Sequence, residues 1–148
     1  MCNLLLKSVF NTSCETPNPI KKQIGGEHYK KTIQAIEYIA KNSLNFNAGN
    51  VIKYISRYKD KNGLEDLNKA KHYIDFIINY EYLSSSVLTS TNNQALTIQP
   101  HEYCFKNGFN SLQFEVIDKV TRHNKLGLVA LRQAQKAIDT LISFEYEK

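Results

Sequence analysis

Ile33-Gln34-Ala35-Ile36-Glu37-Tyr38-Ile39-Ala40-Lys41-Asn42-Ser43-Leu44-Asn45 decides the fold, because the chain writes this stretch twice. About 65 positions on, Ile98-Gln99, Glu102-Tyr103, Lys106-Asn107 and Asn110 repeat Ile33-Gln34, Glu37-Tyr38, Lys41-Asn42 and Asn45. Val51-Ile52 and Arg57 return as Val116-Ile117 and Arg122. After a slip of one residue, Gly63-Leu64, Leu67, Ala70, Ile74-Asp75, Ile78 and Glu81-Tyr82 return as Gly127-Leu128, Leu131, Ala134, Ile138-Asp139, Ile142 and Glu145-Tyr146. Matches that keep both order and helical spacing point to duplication of one unit.

Each unit reads as helical. Ile36, Ile39 and Ala40 fall on one face of a short helix ending near Asn42. A second helix is expected from Asn47 as N-cap, with Phe46 and Val51 as a hydrophobic staple and Val51, Ile52 and Ile55 turned inward. Asn62 with Glu65 reads as a capping box opening the longest helix, from Gly63 to about Leu83, with Leu64, Leu67, Ile74, Ile77 and Ile78 as its buried stripe. The expected fold is all-α, two pseudo-equivalent three-helix units packed together. Residues 1–20 read as a mobile N-terminal arm, 21–83 as the first unit, 84–94 as a polar linker and 95–148 as a second, degenerate unit.

Size and composition agree with that plan. At 148 residues, either unit alone would be a marginal core. The chain is 42% hydrophobic and only 22% charged, which argues against a disordered protein. No apolar run approaches the roughly 18 residues of a membrane span, and the start, Met1 to Lys7, is too short an apolar stretch for a signal peptide. Three cysteines, Cys2, Cys14 and Cys104, have no metal-site spacing, so reduced thiols are expected. A net charge of +5 favours anionic partners, with nucleic acid and small phosphorylated ligands both open.

The copies differ where chemistry would lie. Gly25-Gly26-Glu27-His28-Tyr29-Lys30 precedes the first helix, whereas Asn92-Asn93-Gln94-Ala95 occupies the matching stretch of the second copy. Paired glycines let backbone approach phosphate oxygens, and His28, Tyr29 and Lys30 add donors, an aromatic face and a charge; a plain Gly-Gly turn is the competing account. Asn50, Lys53, Arg57 and Lys61 are spaced as a basic stripe that would grip phosphates or simply face solvent. Arg57 is kept in the copy as Arg122, whereas Lys53 becomes Asp118. Glu65, Asn68, His72, Asp75 and Asn79 make a polar line on the third helix. His72 and Asp75 are spaced to share a proton, as acid–base work requires. Asp139 preserves Asp75 while Lys136 replaces His72, so Asp75 also reads as structural, as a cap or a partner of Arg57. Seven tyrosines crowd the first unit, and they suit core packing, a subunit contact or base stacking.

Gln23-Ile24-Gly25-Gly26-Glu27-His28-Tyr29, Gly49-Asn50-Val51-Ile52-Lys53-Tyr54-Ile55, Arg57-Tyr58, Lys61-Asn62-Gly63, Glu65-Asp66-Leu67 and His72-Tyr73-Ile74-Asp75 together resemble a family of small phage proteins. That family is long catalogued as a domain of unknown function, and its known member is a phage nucleotide kinase acting on deoxynucleoside monophosphates. The resemblance implies phosphoryl transfer to a nucleoside monophosphate without the usual phosphate loop; none occurs here. It implies His28 or His72 near the transferring group, and Gly25, Gly26, Tyr29, Asn50, Lys53, Arg57, Lys61, Glu65 and Asp75 around the nucleotide, to which the charge of the glycine segment adds Lys30. No metal ligand set and no protein-bound cofactor is expected beyond the nucleotide itself, with a magnesium requirement left open. The implied setting is the cytoplasm of an infected bacterium, with no membrane association. A homo-oligomer is expected as well, because two small units bury limited apolar area. A non-enzymatic sponge that sequesters a nucleotide messenger of antiviral defence is the alternative, which the eroded second copy suits; nucleic-acid binding ranks below both.

Overall fold

The computed structural model describes residues 18–22, 24–83 and 95–147, and over these the chain is all-helical. Seven helices follow in order: α1 Ala35–Lys41, α2 Phe46–Arg57, α3 Leu64–Phe76, α4 Pro100–Asn107, α5 Ser111–Thr121, α6 His123–Leu126 and α7 Leu128–Tyr146. Single 3-10 turns at Pro19–Lys21, Glu27–Tyr29 and Tyr58–Asp60 complete the first half, and α3 winds on as a π-helix over Ile77–Leu83. The expected arm, apart from Asn18 to Ile20, and the expected linker lie outside the described residues, as do Cys2 and Cys14. Helix order repeats across the halves, except that the short α6 stands where the first half has a 3-10 turn.

The core joins the halves through reciprocal contacts between repeat-equivalent residues. Asn42 closes α1: its Nδ2 donates to the Ile98 carbonyl at 2.8 Å and its Oδ1 accepts from the Ile98 amide at 3.0 Å. Asn107 does the same to Ile33, donating to its carbonyl at 2.9 Å and accepting from its amide at 3.1 Å. Tyr38 and Tyr103 stack at the centre with centroids 4.2 Å apart. The Tyr38 hydroxyl reaches Thr121 at 2.8 Å and the Tyr103 hydroxyl reaches Ser56 at 2.7 Å. Farther out, Tyr58 donates to Glu145, while His123, its counterpart, lies 3.9 Å from Glu81 and bonds Tyr82. Lys71 pairs with Asp139, and Gln135 donates to Asp75. Such exchange of equivalent partners is the pattern of a twofold interface drawn inside one chain. Around it Val51, Ile52, Ile55, Leu67, Ile74, Val116, Ile117, Leu131 and Ile138 are all fully buried.

Several local expectations are corrected. The α2 N-cap is Asn45, whose side chain accepts from the Ala48 amide at 2.9 Å; Asn47 lies within the helix. Phe46 consequently begins the helix 75% exposed and forms no staple. On α1 the buried residue is Tyr38, and Ile36 is 63% exposed, because the central Tyr38–Tyr103 stack sets the helix rotation. Gly63, at φ +51, precedes α3 without a side-chain cap, so the Asn62–Glu65 box does not form; Glu65 pairs with Lys69 instead. Leu64 is 39% exposed rather than part of the stripe, while the expected long helix to Leu83 is present, its last turns wound as the π-helix Ile77–Leu83.

Candidate functional site

Several of the residues singled out in the first unit meet around Tyr54 on one face of α2 and α3. Its innermost group is Arg57 at the end of α2. Nε and Nη2 donate to the two oxygens of Asp66 at 3.0 and 3.1 Å, and Nη1 donates to the Tyr29 hydroxyl at 2.9 Å. The guanidinium also lies 4.8 Å from the centroid of the Tyr54 ring. Asp66 is fully buried, and Arg57 is 6% exposed. Burial works against the arginine charge, but the Asp66 carboxylate and the Tyr29 hydroxyl outweigh it and hold the group above its ordinary pKa. Arg57 is therefore spent on Asp66, not Asp75, because Asp66 on the first turn of α3 faces the end of α2. Nor does Arg57 belong to one exposed stripe with Lys61. Helix α2 ends at Arg57, and the 3-10 turn Tyr58–Asp60 breaks the spacing before Lys61.

Through Tyr29, Arg57 holds the Gly25 to Lys30 segment. Gly25 has φ +109, a conformation that side chains disfavour, and a Cβ on Gly26 would lie 2.7 Å from the His28 Nδ1, so a larger residue at 26 would displace the His28 ring. His28 folds back beside Tyr29, with ring centroids 4.0 Å apart. Its Nε2 is enclosed, with no hydrogen-bond partner among the described residues. Desolvation, then the charges of Lys61 and Arg57, hold the imidazole below its usual pKa. Lys31 ties the end of the segment to Asp60, and Lys30 pairs locally with Glu27.

Next along the face is Tyr54. Besides Arg57, Lys53 and Lys69 approach its ring at 5.5 and 5.8 Å, and the Tyr73 ring lies parallel at 5.9 Å. Lys69 is held by Glu65, and the Asn50 side chain donates to the Phe46 carbonyl at 2.9 Å. Beyond Tyr73 the rings continue through Phe76 to Tyr80, which stack at 5.6 Å. There His72, Asp75, Phe76, Asn79 and Tyr80 line an open groove of about 350 Å³. His72 stands edge-on to Phe76 at 4.8 Å, and Asp75 turns to Gln135 of α7. The expected polar line on α3 is thus present, with His72 and Asp75 in one groove but each engaged by a different neighbour. The face has a cationic and a stacking part: amines beside Tyr54, and aromatic rings leading to a polar groove.

The second unit carries no such face. Asp118, Lys119, Gln133, Ala137 and Thr140 stand at the positions of Lys53, Tyr54, Lys69, Tyr73 and Phe76. Ala130 stands at that of Asp66, and Arg122 leans on Asp118, with Nε 2.9 Å from its carboxylate, its side chain 40% exposed. Sequence reasoning left Asp66 and Tyr54 out of the site. The change of Asp66 to Ala130 between otherwise matched helices was the available signal. Among the described residues no cluster of three or more metal-capable side chains occurs, and no helix is long and apolar enough to cross a membrane.

No curated protein and no solved structure matches the chain. Residues 20–75, which carry the whole Tyr29–Arg57–Asp66 cluster and most of the aromatic face, match a family described as a protein of unknown function (DUF3310).

Proposed function

We propose that the protein binds a nucleotide on the α2–α3 face, and that its reaction is the phosphoryl transfer to a nucleoside monophosphate that the phage-family resemblance implies. The observation that carries this reading is the Tyr54 ring with Lys53, Arg57 and Lys69 around it, continuous with the Tyr73, Phe76 and Tyr80 rings. A base stacks on such rings, and the amines of this end take the phosphates, Lys69 by exchanging its exposed Glu65 partner for one. Arg57 is excluded from direct phosphate contact by its two bonds to Asp66, so Lys53, Lys61 and Lys69 carry that role. His72, on the exposed rim of the groove, and His28, beside Lys61, are the groups proposed for proton and charge management. Catalysis then rests on positioning and electrostatics.

The second reading is sequestration without turnover. It is favoured by the openness of the groove, since phosphoryl transfer to water must be suppressed by enclosure, whereas a binder has no such need. Either reading carries the host cytoplasm as the setting. Self-association would use exposed apolar residues outside α2 and α3, with Phe105 of α4 at 89% and Phe144 of α7 at 75% exposure.

The deciding experiment incubates the purified chain with each nucleoside monophosphate, a triphosphate donor and Mg²⁺, then identifies both new nucleotides and whatever stays bound until denaturation. New diphosphate supports transfer. A tightly retained nucleotide without product supports sequestration, and neither outcome removes the nucleotide reading. Lys53→Ala with Lys69→Ala should weaken binding about 10- to 100-fold and flatten its salt dependence, on the scale of two charge-assisted contacts.

A further inference from the structure

The molecule contains its own comparison for the buried ion pair. Both units have the arginine at the end of their second helix, Arg57 and Arg122. Only the unit that has Gly25-Gly26-Glu27-His28-Tyr29 also has a carboxylate at the facing position; the other has Ala130, 2% exposed. The second unit packs the same helices without that pair, so the fold of a unit does not require it. Burying two charges is costly, and an apolar pair at such a place is often as stable. A buried pair kept only beside the glycine segment therefore calls for a reason in that segment.

The geometry supplies one. Asp66 takes Nε and Nη2 of Arg57, which fixes the plane of the guanidinium and aims Nη1 at the Tyr29 hydroxyl. Asn62 adds a long contact to the same carboxylate at 3.5 Å. With Lys31 bound to Asp60, the 3-10 turn that bears His28 is held at its last residue, Tyr29, and again two residues beyond it. We propose that Asp66 is a positioning residue: acting through Arg57 and Tyr29, it seats the His28 segment against the α2–α3 face while touching no ligand itself. This rests on the nucleotide reading only for the use made of the seat; the seating itself stands apart from it.

Two measurements on the full chain separate these. Trypsin cleavage after Lys30 and Lys31, followed by mass spectrometry, reports release of the segment, and titration of the His28 ring by NMR reports its return to solvent and, after that, the loss of its charged neighbours Lys61, Arg57, Asp60 and Asp66. Asp66→Asn tests the carboxylate directly. Because that change leaves Arg57 buried without its partner, the double variant Arg57→Met with Asp66→Leu and the single variant Tyr29→Phe are tested beside it. In both, the melting temperature should stay near that of the parent. Cleavage at Lys30 and Lys31 should accelerate at least tenfold, the His28 titration should move up toward its ordinary value, and nucleotide affinity should fall tenfold or more. Asp66→Glu should restore part of the protection. If the double variant folds and the segment stays as protected and His28 as shifted as in the parent, the proposal is overturned. If the segment is released but nucleotide affinity is unchanged, seating by Asp66 stands and the place of the segment in the nucleotide site fails.

Discussion

Replacing Asn42 or Asn107 by alanine tests the twofold clamp at the centre of the fold. Asn42 makes three hydrogen bonds to the other half, to the Thr97 amide at 2.9 Å, the Ile98 amide at 3.0 Å and the Ile98 carbonyl at 2.8 Å. Asn107 makes two, to the amide and the carbonyl of Ile33. Each such bond contributes about 1 kcal/mol net, and a partly buried backbone group left unmatched costs at least that. The expected losses are therefore about 3 kcal/mol for Asn42→Ala and about 2 kcal/mol for Asn107→Ala. In a chain of this size these correspond to melting temperatures lowered by roughly 10 and 7 °C. Asn107→Asp keeps the acceptor for the Ile33 amide but sets a carboxylate against the Ile33 carbonyl, so it should lose at least as much as alanine. Urea titration followed by circular dichroism measures all three. Losses below about 0.5 kcal/mol at both positions, with cooperative unfolding retained, would refute the view that these two side chains clamp the halves together.

Arg57→Ala should cost about 3 to 5 kcal/mol, because it leaves Asp66 buried and unpaired, whereas Arg122→Ala should cost under about 1 kcal/mol, since Arg122 meets Asp118 at the surface. Equal losses in thermal melts would contradict this asymmetry. His123 is 2% exposed, and burial holds its pKa down to about 4. The folded imidazole stays neutral where the unfolded one takes a proton, so its contribution is complete above about pH 6.5. It falls away toward pH 4, by at most about 3 kcal/mol. Chemical denaturation between pH 7 and 4.5 measures that slope; a His123→Gln variant as steep as the parent over this range would count against the assignment. Cys104 is 4% exposed, and burial pushes its thiol up to about 12. It should resist a thiol-reactive reagent at pH 8 in the native chain and react fully in denaturant; fast native labelling at Cys104 would show that the core opens there.

The sequence by itself determined the helical class, the repeated helix order and most of the buried stripe. Those follow from local periodicity: a residue such as Leu67, Ala70 or Ile74 has one inward direction once the helix exists, and the second copy repeats it. It also set the first unit apart from the second, since Gly25, Gly26, His28, Lys53 and His72 are absent from the copy. Tertiary structure decided which polar residues meet. Arg57 chose Asp66 over Asp75 because α3 crosses the end of α2 by its first turn, and no spacing within either helix encodes that crossing. The central Tyr38–Tyr103 stack, likewise, turned α1 so that Tyr38 is buried and Ile36 exposed, although hydrophobicity alone ranks them the other way. Caps were misplaced by two residues at α2 for a related reason: Asn45 and Asn47 are equally good N-caps in isolation, and only the loop from α1 selects Asn45. Periodicity records what a segment prefers by itself, whereas the pairing of charges and rings across helices is set by the angles at which they pack.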